Sequence, residues 1–260
     1  MRGQAKDGTT RFYRIATAYV IVNGLRITLA LRLVLPEDDT LTVLQDLLKR
    51  LHLRAIRIVC LFLDRGFDGI ALRRYLTEHQ QPAVIACTIR GKQGGTRALC
   101  VGTKSYRVAF TFESAEQGAF TASLVVCRTF TTAKRTKHMK RRAEWWIYIL
   151  IHLDLSPRQA RRWYRRRFGI ESSYRCAGQV RGWTTSPNVA YRFVLIALSF
   201  ILLNVWLGLR WLFTQVPRRG HRWLDTKRFQ LTRFAKFLRR ALEQHYGAVC
   251  KVVAVATPRP

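Results

Sequence analysis

Leu61-Phe62-Leu63-Asp64-Arg65-Gly66-Phe67-Asp68 follows an apolar run, Ala55 to Leu63, and precedes a helix-like stretch from Gly69 to His79. An apolar run, a turn and a helix in that order read as one βα step of an α/β sheet. Asp64 stands where the strand ends. In open α/β sheets, ligands and reactive groups collect at such strand ends, and Gly66 permits the tight turn that leaves the carboxylate facing out. An Asp in this position also serves as a plain helix cap, and these residues alone leave both readings open.

Upstream, Phe12 to Val22 and Leu25 to Val34 read as two strands joined by Asn23-Gly24, a strong hairpin signal. A helix around Leu41 to His52, begun by acidic residues, leads into the Asp64 strand. Downstream, the short runs Ala83 to Ile89, Tyr106 to Phe112 and Ala122 to Thr129, with the turn Gly91-Lys92-Gln93-Gly94-Gly95, read as an antiparallel β insertion. The strand Trp145 to Leu153 follows, and Ser156-Pro157-Arg158-Gln159 is a capping-box arrangement that fixes the next helix start. Asp154, just before it, reads as a pre-helical turn residue.

That helix leads to Trp163-Tyr164-Arg165-Arg166-Arg167-Phe168-Gly169-Ile170-Glu171-Ser172-Ser173-Tyr174-Arg175, where one carboxylate stands among arginines and aromatics. If the segment is one helix, Tyr164, Arg167, Glu171, Tyr174 and Arg175 fall on a single stripe. The stripe offers an acid flanked by phosphate binders, and it also fits a solvated basic helix with local ion pairs.

Composition points to a polyanionic partner. With 46 Lys plus Arg against 15 Asp plus Glu, the net charge is +31 and the pI about 11.3, which makes nucleic acid the natural counter-charge. Cations thicken at Lys134 to Arg142, Arg158 to Arg181 and Arg218 to Arg240. The first cluster reads as a loop, offering DNA contacts or a solvated linker. At 260 residues and 48% hydrophobic the chain can bury a sizeable core. Cysteines 60, 87, 100, 127, 176 and 250 show neither a Cys-x2-Cys pair nor finger-spaced His partners, so a reduced cytosolic protein without a zinc site is expected. His52, His79 and His138 read as surface residues.

Phe193 to Leu209 is uncharged for 17 residues, short of the roughly 20 that a membrane span wants. It contains Ser199 and Asn204 and follows Ser186-Pro187, so buried packing against the sheet is expected, with no membrane partner. Asp225 to His245 carries Leu231, Phe234, Leu238 and Leu242 at helical spacing with cations opposite, an amphipathic basic helix.

Together the two acidic segments resemble the DDE transposases of bacterial and archaeal insertion sequences, in the group called insertion sequence four. That family's third acid lies in Tyr-x2-Arg-x3-Glu-x6-Lys. Tyr164, Arg167 and Glu171 match it, while Gly178 replaces the Lys and Arg181 stands close by. Its second acid commonly ends a strand in Asp-Arg-Gly-Phe, here Asp64 to Phe67.

The resemblance implies an α/β fold with a ribonuclease H-like mixed sheet, flanking helices, a β-rich insertion and C-terminal helices. Residues 1–81 would open the catalytic core, 82–143 hold the insertion and basic loop, 144–215 complete the core, and 216–260 form a basic helical tail. It implies a transposase that cleaves and transfers DNA strands with Mg²⁺ or Mn²⁺, two ions in the complete enzyme, held by Asp64 and Glu171. Tyr164, Arg167, Tyr174, Arg175, Arg181, Lys134, Arg135 and Lys137 would contact DNA phosphates.

Transposon ends and target, both double-stranded DNA, would be the partners of a homodimer in the cytoplasm with the nucleoid. The family's first catalytic Asp belongs on a strand upstream of the hairpin, and the chain reads as starting after it. Asp7 is the one acid before the hairpin and reads as a turn residue. The chain alone is therefore expected to be weak or inactive. A non-catalytic nucleic-acid-binding protein, a membrane-associated basic protein and a host nuclease of the same fold are the rival readings.

Overall fold

Asn23 and Gly24 both take positive φ, 51° and 79°, the backbone that a two-residue hairpin turn demands, and they join β1 (Arg14–Val22) to β2 (Leu25–Val34). The computed structural model describes residues 13–91, 94–133, 140–218, 221–225 and 227–247. Among these the chain forms two compact units. The first runs from Leu29 to Gly169 and includes β1 through Ala18; the second takes in Tyr19–Thr28 and the chain from Ile170 onward.

In the first unit, α1 (Thr40–His52) begins at Asp39, whose side chain accepts from the Thr42 N–H. Its apolar face, Val43, Leu47 and Leu51, closes over Ala30 and Val34 of the hairpin. Then come β3 (Leu61–Leu63), α2 (Ile70–Glu78), β4 (Ala83–Ala86), β5 (Tyr106–Ser114), β6 (Gly118–Ala133), β7 (Lys140–Ile151) and α3 (Pro157–Arg165). The strands form one mixed sheet in the order β3-β4-β7-β6-β5, with β3 and β4 parallel and the other pairs antiparallel.

Successive residues point to opposite faces, so Ile85, Leu124, Val126 and Ile149 pack with Leu44, Leu48, Leu72 and Leu76 of α1 and α2. Val84, Val125, Tyr148 and Leu150 pack with Ala160 and Tyr164 of α3 on the other face. A five-stranded mixed sheet flanked by helices is consistent with the expected ribonuclease H-like architecture.

Several expected elements differ. The strand expected from Ala55 shrinks to three residues at its end, because Ala55 sits at positive φ (53°) in the turn leaving α1. Ala83–Ala86, grouped with the antiparallel insertion by its β-rich composition, pairs parallel with β3 and lies inside the sheet, between β3 and β7. Its four residues are fully buried, and that apolarity belongs to a parallel core strand. The 107-residue separation of the two acids thus includes strands of the same sheet.

The second unit contains α4 (Ile170–Val180), α5 (Val189–Phe213), α6 (Leu231–Tyr246) and a short ribbon of β8 (Gln215–Arg218) and β9 (His221–Leu224) that the sequence reading missed. Asn188 caps α5, accepting from the Tyr191 N–H, so the helix starts just after Ser186-Pro187. Asn204, polar within an apolar helix, donates to the Thr28 carbonyl (2.7 Å) and accepts the Thr28 N–H (3.0 Å), and so satisfies both backbone groups of one β2 residue.

Of the buried packing against the sheet expected of α5, the second unit shows burial on one face only, against α4, α6 and β8. Ser199, Phe200, Leu203, Trp206 and Leu207 are buried, whereas Val194, Leu198, Ile201 and Val205 are about half exposed. By length and composition this helix is long and apolar enough to cross a membrane, with a mean hydropathy of 2.1 and 28% of its apolar window buried.

Candidate active site

Asp64 follows β3 directly and caps a three-residue 3₁₀ turn, Arg65–Phe67. Its Oδ1 accepts the Gly66 N–H at 2.9 Å, so the capping role is real. Capping leaves Oδ2 available, and it accepts from Arg167 Nη2 at 2.9 Å across 103 residues of sequence. The Asp64 side chain remains 44% exposed, open to a further ligand. Two motifs that the sequence could only place in order, Asp-Arg-Gly-Phe and the arginine before Glu171, thus meet at the end of one strand.

Arg167 is itself positioned. Its guanidinium lies 5.8 Å from the centre of the Tyr164 ring. Tyr164 is 3% exposed and stacks on Tyr148 at 4.8 Å in the core beneath α3. Burial pushes its phenol above the ordinary value, with Arg167 pulling the other way, so the hydroxyl stays protonated. On the other side of the turn, Arg65 stands over Trp146 at 5.4 Å.

The five-residue stripe does not form on one helix. α3 ends at Arg165, residues 166–169 form a turn, and Gly169 takes φ 138°, a conformation that L side chains rarely adopt. Tyr164 and Arg167 fall in the first unit, while Glu171, Tyr174 and Arg175 fall in the second, sharing a face of α4 at steps of three and four.

Glu171 is exposed in the first turn of α4, and its side chain makes no hydrogen bond or ion pair among the described residues, although Arg175 stands one turn on. The local ion pairs of the solvated-helix reading are thus not formed. Tyr174 packs edge-on against Phe200 (5.6 Å, 85°), and Arg181 is exposed just beyond the helix. Lys134, Arg135 and Lys137, like Asp7 and His138, lie outside the described residues.

Sequence reasoning overlooked Asp68. It is buried against Arg73 in an ion pair, and its Oδ2 accepts the Thr88 N–H at 2.8 Å, tying the Asp64 turn to the end of β4. Arg73 also stacks on Phe112 at 3.7 Å, and burial pushes its pKa down to about 10. An acid five residues before an arginine on a mostly apolar helix was the available signal. Asp154, read as a turn residue, pairs with Arg107.

Carboxylate oxygens are hard donors suited to Mg²⁺ or Mn²⁺. Among the described residues no group of three or more His, Cys, Asp or Glu comes together to hold a metal ion, so the described donor set is incomplete. What the first unit does assemble is an oriented carboxylate beside a guanidinium at a strand end, an arrangement suited to a phosphodiester and its counter-ion.

No curated protein matches the chain. Residues 3–205, well over half of it, match the family described as Transposase DDE domain, and the match spans both acidic motifs. The family generally depends on a divalent metal and acts on DNA. The chain therefore belongs to the transposase DDE domain family of DNA-cleaving and strand-transferring enzymes.

Proposed function

We propose that the chain is the transposase of an insertion sequence of the group-four type, cutting transposon ends and joining them to target DNA. The observation that carries this reading is the Asp64–Arg167 bond, which joins two separate family motifs at a strand end. In the proposal Asp64 and Glu171 each supply a carboxylate to a pair of divalent ions, Mg²⁺ or Mn²⁺, with a third carboxylate from outside the described residues. When bound, such ions stabilise charge on the attacking and leaving oxygens. Arg167 orients Asp64, Tyr164 supports Arg167 from the core, and Arg175 and Arg181 take neighbouring phosphates; Tyr174, Lys134, Arg135 and Lys137 extend the contact.

The enzyme acts as a homodimer in the cytoplasm, on nucleoid DNA, without a membrane partner. Exposed Tyr191, Val194, Leu198, Ile201, Val205 and Leu212 on α5 support the dimer. Their alternating steps of three and four, with Gly208 filling the one gap, make a narrow seam of the kind a second helix packs against. Lipid would instead favour an apolar surface all round.

The test is Mn²⁺-dependent nicking of supercoiled plasmid by the full chain. Slow nicking is expected, lost by about 10²-fold or more in Asp64→Asn and in Glu171→Gln, with metal-free duplex binding unchanged. Metal-dependent nicking by either variant at the wild-type rate would overturn the proposal.

A further inference from the structure

The first unit also carries a groove of about 920 Å³, lined by neither Asp64 nor Arg167 but by six arginines and no carboxylate: Arg128 from β6 and Arg158, Arg161, Arg162, Arg165 and Arg166 along and just beyond α3. We infer that this groove is a second DNA-contact surface, one that grips the phosphate backbone of duplex DNA independently of the Asp64 site. The inference rests on the transposase reading and deepens it.

Arg158, Arg161, Arg162 and Arg165 recur at steps of one, three and four and form one basic face, while Ala160 and Tyr164 turn to the core. None of these four arginines makes an ion pair among the described residues. Like charges at i,i+4, as in Arg158/Arg162 and Arg161/Arg165, destabilise a helix in isolation. Such a row is retained at a cost to the fold, and an anion removes that cost.

Length sets the ligand. Seven residues of α-helix span about 10 Å, and one strand of duplex DNA places a phosphate about every 3.4 Å along its axis. The row therefore matches about three consecutive phosphates.

The groove is also preorganised. Arg128 is held by a 3.0 Å bond from Nη1 to the Thr103 carbonyl, and its guanidinium lies 5.0 Å from the Phe130 ring centre and 5.8 Å from that of Trp145. Its Nε is buried with no hydrogen-bond partner among the described residues. α3 is anchored by its complete Ser156–Gln159 capping box. No aromatic side chain lines the groove, so it offers no platform for stacking unpaired bases, and this favours duplex over single strand. Cys127, which also lines it, is 2% exposed; burial pushes its thiol up to about 11, so it stays protonated.

The experiment is fluorescence anisotropy of the full chain with labelled duplexes of two unrelated sequences, in chelator and over a range of KCl. The variant Arg158→Gln/Arg162→Gln/Arg165→Gln should flatten the slope of log K against log salt by about 2–3, equally for both sequences. The corresponding triple Lys variant should keep the wild-type slope, which guards against a folding artefact. A control triple, Lys49→Gln/Arg54→Gln/Arg57→Gln, should leave the slope nearly unchanged.

An unchanged slope in the groove variant, an equal loss in the control, or, with a labelled single strand of the same sequence as a further probe, a larger loss for the single strand than for the duplex would overturn the inference while leaving the transposase reading intact. Failure of the wild type to bind duplex at all would overturn the transposase reading and the inference with it.

Discussion

Asp64 does two things at once, and its two oxygens separate them. Oδ1 closes the Gly66 turn and Oδ2 meets Arg167, so the cap reading and the reactive reading, rivals in the sequence, are compatible in space. The strand-end position was legible from an apolar run followed by Asp-Arg-Gly-Phe. The partner was not, because nothing in local sequence says that an arginine 103 positions away returns to that strand end. Because the pair is partly exposed, Arg167→Ala should cost only about 0.2–1 kcal/mol of stability by denaturant unfolding. The same change should reduce nicking about tenfold or more, and Arg167→Lys should not restore it, since an ammonium cannot reproduce the planar fork. Equal losses of rate and duplex affinity in Arg167→Ala would indicate a plain phosphate contact.

Helices and strands were legible where local chemistry is decisive, at Asn23-Gly24, at Asp39 and at the Ser156–Gln159 box. They were misread where a residue's partner is remote. The parallel pairing of Ala83–Ala86 with β3 depends on the crossover through α2, which composition does not encode. The break between α3 and α4 turned on Gly169, whose φ of 138° a sequence pattern cannot report. Gly169→Ala should therefore destabilise the chain by about 1–3 kcal/mol in thermal or denaturant unfolding, whereas a continuous helix through this point would gain from the same change. On α5, Leu198→Glu/Val205→Glu should turn a dimer in sedimentation velocity into a monomer. Vesicle flotation of the wild type would point to lipid as the partner of that seam.

Across the whole molecule, the excess of cations over acids was legible at once, and only the fold shows which of them are engaged. Arg73 is buried in an ion pair and Arg167 holds Asp64, while the α3 row is left for another partner. Saturating duplex should stabilise the chain, by about 2–3 kcal/mol at a hundredfold excess over Kd, and added salt should erase the gain. Burial pushes Cys60, Cys87 and Cys127 up to about 11 from 9.0. Their folded pKa lies above the unfolded one, so the stability they contribute is fully present below about pH 9 and is lost as pH rises toward about 11, where the unfolding midpoint should drop.

In the proposed function, Asp64 and Glu171 serve one metal-dependent centre. Mn²⁺ binding to the full chain with duplex present, followed by the electron paramagnetic resonance signal of free Mn²⁺, tests it most directly. Asp64→Asn and Glu171→Gln should each weaken binding about tenfold or more, with a double variant little worse than either. Wild-type Mn²⁺ affinity in both single variants would contradict the account.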